Sequence, residues 1–342
     1  MRRWYHSIFI LFLVYSQACK SPTQPLTRIA FGSCSNEELH EQMWTDIIEQ
    51  KPQLCILLGD NIYGDTHDMA DMRRQYDIQK NMPEYQALLK QCPVIGTWDD
   101  HDYGKNDGGK FYTMKKESKE EFLRFLDIPA DDPIRTHEGV YGSYNYGPEG
   151  KKIKVILLDL RYFRDSTVKS TVKGRRYDQN PDGDIMGEAQ WAWFEKELMN
   201  SDAQVHIIGS SIQFIPIDHG FEKWDNFPKA RQRMLDLLVK YKSKKLFIIS
   251  GDRHIAEVSR MNPEGLTGPL YDITSSGLTH TWDLSTWKDM PLEEVNQFRV
   301  GELIIQKNFG MILVDWSGQE PVVTIEIRGK DNQLWIPPFT ID

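Results

Sequence analysis

Positive charge is in deficit, cysteine is scarce, and neither an internal repeat nor a low-complexity segment is present. Each shortage excludes something. With 41 Lys and Arg against 50 Asp and Glu, the formal net charge is −9, which argues against broad, non-specific nucleic-acid binding. Only 4 cysteines occur in 342 residues. Cys55 lies inside an apolar run and Cys34 at the end of another, where burial is the bland reading, so the chain is not taken as a disulfide framework. A Cys55–Cys92 bridge stays open. The N-terminal apolar run, residues 8–14, is too short for a membrane span.

That run follows Arg2 and Arg3 and precedes Ser16-Gln17-Ala18-Cys19, which reads as an export signal over residues 1–19. Cys19 stands where a bacterial lipobox places its cysteine, although Ser16 departs from the usual branched aliphatic. Lipid attachment at Cys19, with membrane anchoring, and simple cleavage are the two alternatives. Either places the protein in the periplasm or at the outer surface. Residues 20–27 form a short tether, and residues 28–342 read as one continuous domain.

Of the whole chain's residues 40% are hydrophobic and 27% charged, ordinary values for a globular protein with a sizeable core. Strands are expected over 28–34, 53–60, 93–98, 152–160, 204–209, 246–250, 271–274, 309–315 and 322–328. Helices are expected over 35–50, 68–91 with a break at Pro83, 115–126, 187–199 and 229–242. Ser35, three before Glu38, is the capping-box signal for the first helix. Repeated strand–helix–strand units imply parallel pairing, and the late strands a more mixed sheet. Two packed sheets with helices outside satisfy both.

The chemistry sits at strand tips. In LGDNIY, Leu58 to Tyr63, an apolar run ends in a glycine and a carboxylate, and Tyr63 can point back at Asp60. Similar tips recur in AFGSC, ending at Cys34, in GTWDDHD, ending at Asp102, and in ISGDRH, ending at His254. In such folds functional residues gather beyond the carboxyl ends of the strands. The thiol, phenol, imidazole and acids collected this way suit two or more cations. His101 lies between Asp100 and Asp102, and a hydrogen bond to the Asp102 carboxylate is expected to orient the imidazole and raise its pKa.

FGSCSN, LGDNIYGD, TWDDHDYG, LDLRYFRD and ISGDRH, in that order over about residues 28–278, resemble the PhoD-like alkaline phosphatases, within the calcineurin-like metallophosphoesterases. The resemblance implies an α/β, α+β-like four-layer sandwich of two mixed sheets flanked by helices. It implies hydrolysis of phosphate esters by a metal-bound hydroxide, with Asp60 bridging two metals. Cys34, Tyr63 and His254 would complete a site for Fe3+, and Asp100 and Asp252 one for Ca2+, or Mg2+ or another divalent cation. His101 takes the catalytic position and Arg161 that of a phosphate clamp. The superfamily's Asp-x-His motif is absent, and Ser210, Ser211 and Gln213 stand where a histidine is usual. The implied substrate is a small phosphoester, monoester or diester. Phospholipase D-like action on a phospholipid, and a non-catalytic surface lipoprotein binding metal or a phosphorylated glycan, are the alternatives.

Other residues have plainer readings. Arg161 and Asp159 form a structural ion pair if Arg161 does not touch substrate. Asn106 and Asp107 make a polar turn, the basic residues of 169–176 a solvated loop, and Trp191, Trp193 and Trp224 core or cleft-wall packing. His280 is the remaining candidate for the cleft.

Overall fold

The computed structural model describes residues 24–39, 41–282 and 294–341. Residues 1–19, read above as an export signal, and with them Cys19, lie outside the described residues. Among those described, no helix is long and apolar enough to cross a membrane.

Two six-stranded sheets lie face to face. In the first, β1 (Arg28–Gly32), β2 (Leu54–Leu58) and β3 (Val94–Thr97) run parallel. In the second, β4 (Gly142–Tyr146) pairs antiparallel with β5 (Ile153–Leu157), which begins a parallel set with β8 (Val205–Ser210), β9 (Leu246–Ser250) and β11 (Leu270–Ser275). β10 (Ala256–Met261) closes the other edge antiparallel to β11. β12 (Phe309–Asp315), β13 (Val322–Arg328) and β14 (Leu334–Ile341) then return to extend the first sheet antiparallel from β1. A small ribbon, β6 (Val168–Lys169) and β7 (Tyr177–Asp178), sits in the segment expected to be a loop.

Alternation along the strands builds the layers. Ile29, Phe31, Leu54, Ile56 and Leu58 face Ile153, Val155, Leu157, Phe247 and Ile249 in the core between the sheets. Ala30, Cys55 and Leu57 face outward, under α1 (Trp44–Glu49), α2 (Met69–Asn81), α3 (Pro83–Gln91) and α5 (Lys115–Phe125). On the far side Ile156, Ile208 and Ile248 pack beneath α6 (Gly187–Met199) and α7 (Pro228–Tyr241), with Trp191 and Trp224 in the same outer core. The result is the four-layer sandwich, and each such fully buried aliphatic side chain contributes roughly 1.5–3 kcal/mol. Pro83 breaks α2 from α3 as expected: Met82 before it is driven to ψ 130°, out of the helical region. Cys55 and Cys92 are free buried thiols, so the bridge left open above does not form.

The helix expected over 35–50 is only Trp44–Glu49. Ser35 does not cap it. The backbone N–H groups of Cys34 and Ser35 are taken by the carbonyls of Gly59 and Asp60, at 3.3 and 2.8 Å, and that of Asn36 by the Thr279 hydroxyl at 2.9 Å. Glu37, within the supposed box, accepts from the Tyr63 N–H at 3.0 Å. With these donors taken across the fold, residues 36–39 form only a turn, closed by the Leu39 N–H on the Asn36 carbonyl at 3.1 Å, and the helix starts later.

Candidate metal centre

Each strand tip delivers its residues two to four positions past the end of the strand: Cys34 after β1, Asp60 after β2, Asp99 and Asp100 after β3, and Asp252 and His254 after β9. The turns are tight enough to force left-handed backbone on side-chain-bearing residues. Cys34 (φ 62°), Asp60 (φ 51°), Asp252 (φ 69°) and His254 (φ 54°) all adopt it. Such a conformation is uncommon outside glycine and is easiest for Asp, Asn and His, so its recurrence at three tips marks a place where geometry is imposed. Gly59, at φ 101°, has its own reason: a Cβ there would lie 2.5 Å from that of Asp99.

The donors converge in three overlapping groups, within each of which ligand atoms lie within 4.8 Å of one another. These are Cys34, Asp60 and His254; Asp60, Asp100 and His101; and Asp60, Asp99, Asp100 and Asp252. The Tyr63 hydroxyl joins the first, 3.0 Å from His254 Nε2 and 3.0 Å from His280 Nε2. Ser276, unnoticed in the sequence, ties that group together. Its hydroxyl lies 3.0 Å from Cys34 Sγ and accepts the His254 N–H at 2.9 Å.

The charge balance of the cluster fits cations. Burial, and then the neighbouring Cys34 and carboxylates, push Asp60 well above the usual carboxylate range, and burial does the same to Asp252. Asp99 rises to about 6 for the same reason despite Arg161. Burial also raises Asp100, but Arg161, His101 and hydrogen bonds from Asp107 and Asn106 outweigh it and hold that carboxyl below its ordinary value. Four carboxyls so placed cannot all ionise by themselves. One oxygen each of Asp60 and Asp99 is buried without a partner, the condition that a bound cation would relieve. Burial raises the Cys34 thiol to about 11, whereas burial and nearby positive charge lower His254 to about 3, leaving its imidazole neutral and able to ligate.

His101 is oriented differently from the expectation. Asp102 does not touch its ring. Instead the Asp102 carboxylate accepts the backbone N–H groups of Asp60, Asn61 and Asp99, at 3.1, 3.3 and 2.7 Å, and so fixes the tips of β2 and β3 relative to each other. It does this from within α4 (Asp100–Tyr103), a single turn with an Asp99–Asp102 capping box where the sequence reads only a tip. The imidazole is held by Asp65, with Nδ1 2.5 Å from the carboxylate, and its ring packs against Tyr63. Burial works against the charged form, but Asp65 and Asp100 prevail and raise His101 to about 9. These carboxylates favour the imidazolium at neutral pH.

Arg161 is not placed as a phosphate clamp. Its side chain is 0% exposed, and its partners are Asp99 at 2.5 Å and Glu222 at 2.6 Å. Glu222 is shared with Arg164. The expected pair with Asp159 is absent too. That carboxylate accepts from the Trp98 indole and from the backbone N–H groups of Val140, Arg161 and Tyr162. Arg161 lies beneath the acids, with Nη2 4.0 Å from Asp100, and balances their charge from behind. Asn106 and Asp107 form no detached turn: the Asn106 amide and the Asp107 N–H donate to Asp100 at 3.0 and 2.6 Å.

Above the acids is a cleft of about 140 Å³, lined by Asp60, Asp100, His101, Asp252 and His254 together with Arg176, Phe221 and Trp282. The profile of the PhoD-like phosphatase family matches residues 29–286. Among solved structures the chain is similar to one described as the structure of PhoD, with a TM-score of 0.68 at 15% identity over 94% of this chain and 72% of that one. That likeness is one of fold. TT1561 of Thermus thermophilus has a TM-score of 0.40 at 9% identity over 75% of this chain and 91% of that one. The phosphopantetheinyl hydrolase of Mycobacterium tuberculosis has a TM-score of 0.36 at 10% identity over 79% and 94%. No curated protein sequence matches.

Proposed function

The chain belongs to the PhoD-like phosphatase family, metal-dependent hydrolases of phosphoesters, and from that premise we propose that it cleaves small phosphate esters with Fe3+ at Cys34, Asp60, Tyr63 and His254 and Ca2+ at Asp60, Asp100 and Asp252. One observation carries the reading. Asp60 is common to every donor group, and it holds a buried oxygen without a partner. Thiolate, phenolate and imidazole together favour a transition metal, and an all-carboxylate set favours a hard cation.

When bound, the cations supply Lewis acidity toward the phosphoryl oxygens and a water acidified enough to attack at neutral pH. The chain's residues do the rest. Asp60 spans both donor groups and fixes their spacing. His101, protonated and aimed by Asp65, donates its proton to the leaving oxygen or holds a phosphoryl oxygen. Arg161 and Arg164, from below, hold Asp99 and Glu222 in place.

His101→Ala is expected to lower kcat by about 10²–10⁴-fold with metal content retained. Asp65→Asn, which leaves the imidazole in place but unaimed, should lose about 10–100-fold. Both are checked by turnover and metal analysis on the same samples, and unchanged turnover in His101→Ala would remove its role. The phenolate assignment has a visible signature. Purified holoprotein should be coloured by a tyrosinate-to-iron band that Tyr63→Phe abolishes, and a colourless, fully active protein would defeat it. The function itself is tested by metal analysis paired with an aryl monoester, its bis diester and phosphatidylcholine. Preference for the last would replace the proposal with a phospholipase D-like activity. A metal-loaded protein that turns over none of them would be a binding protein.

A further inference from the structure

Two half-buried aromatic rings, Phe221 and Trp282, border the cleft and take no part in the donor groups. Their centroids are 5.9 Å apart at a 39° tilt. Neither ring is loose. Arg253, itself buried and paired with Glu294, sits 4.2 Å from the centre of Phe221 and covers one face of it. The Trp282 indole N–H donates to the Arg253 carbonyl at 2.8 Å, and its backbone N–H to the His254 carbonyl at 3.1 Å. Trp282 is therefore fixed beside a candidate ligand, its ring 5.8 Å from that of His254. Rigid aromatic surface left partly open next to a reaction centre provides contact area with little ordering cost.

The cleft volume narrows what that surface meets. About 140 Å³ is the size of a cavity that holds one six-membered ring, so a phosphoryl group over the acids leaves room for only part of the group it is esterified to. The remainder of the substrate must extend along the rim, where the two rings stand.

Resting on the phosphoesterase reading above, we infer that Phe221 and Trp282 select phosphoesters whose leaving group is a flat unsaturated ring, aryl or nucleobase-bearing. In the step itself the water oxygen bonds to phosphorus, the bond from phosphorus to the oxygen of the ring-bearing group breaks, and that oxygen departs with a proton. Stacking acts on the departing portion and leaves the chemistry at phosphorus unchanged.

The test is a selectivity ratio measured on the metal-loaded full chain. Wild type is expected to show kcat/KM for phenyl phosphate and for a nucleoside monophosphate at least about 10-fold above that for glycerol phosphate. Phe221→Ala and Trp282→Ala should collapse that ratio to within about 3-fold of unity, whereas Trp282→Phe, which keeps a ring and loses the N–H, should preserve most of it. Inhibition offers a readout without turnover. Phenylphosphonate should bind about 10-fold more tightly than methylphosphonate in wild type and no more tightly in the alanine variants. A high ratio for the nucleoside monophosphate alone identifies the ring as a nucleobase and upholds the inference, whereas a high ratio for phenyl phosphate that the alanine variants leave standing reports the more acidic phenol leaving group and overturns it. A wild-type ratio near unity, equal losses on ring and glycerol substrates, or Trp282→Phe behaving as Trp282→Ala would each overturn it. A wild type inactive on every phosphoester would sink the functional reading itself, and the inference with it.

Discussion

Asp60→Asn is expected to lower kcat on any phosphoester by about 10³-fold or more, the equivalent of several kcal/mol of Lewis-acid stabilisation lost at the transition state. The substitution is nearly isosteric, and asparagine accepts the left-handed backbone that Asp60 adopts at φ 51°. Folding should therefore survive, and the loss should trace to the cations: both are expected to fall below stoichiometric occupancy, because Asp60 belongs to every donor group. The same change should act oppositely on the metal-stripped protein. There Asp60 is a buried acid crowded by Cys34, Asp99, Asp100 and Asp102, and a neutral amide avoids the cost of keeping such an acid protonated on folding. In chelator the variant should melt about 1–3 °C above wild type, and in the presence of metal below it. Wild-type turnover with two cations retained would remove Asp60 from the centre of the site.

Arg161→Met should produce the largest loss of stability. It strands Asp99, a buried carboxylate 2.5 Å from the guanidinium, and takes from Glu222 one of its two cationic partners, leaving Arg164, and such a break costs about 3–5 kcal/mol. That is a large part of the total stability of a typical fold, about 5–15 kcal/mol. Arg161→Lys should recover little, since one ammonium cannot reproduce two directed bonds. Arg161→Met with Asp99→Asn should recover part, because the stranded anion is then removed. Urea unfolding of the three variants measures this. An unchanged midpoint in Arg161→Met would mean that the ion network is not structural.

Most of the donor set was legible because parallel strands end on the same side. An apolar run followed by a glycine or serine and a polar tip reads directly from FGSC, LGD and SGD, and the topology then brings Cys34, Asp60, Asp252 and His254 to one place. Partners at a distance were not legible. Asp65 for His101, Glu222 for Arg161 and Ser276 for Cys34 are separated from their targets by 36, 61 and 242 positions, and no local pattern marks them. Among the strands of the two large sheets, those missed were β4, β10 and β14, all at sheet edges. Edge strands need no continuous apolar run, and β14 carries Pro337 and Pro338, which a central strand would exclude. The false helix start at Ser35 failed because its backbone donors were already taken across the fold.

The tips that assemble the donor groups come from both layers: Cys34, Asp60, Asp99 and Asp100 from one sheet, Asp252 and His254 from the other. Any ion held by Asp60 together with Asp252 or His254 is thus fastened to both halves of the sandwich at once. Its departure would be felt as slippage between the sheets, and the protein's mechanical integrity and its readiness to react would then depend on the same few coordinate bonds.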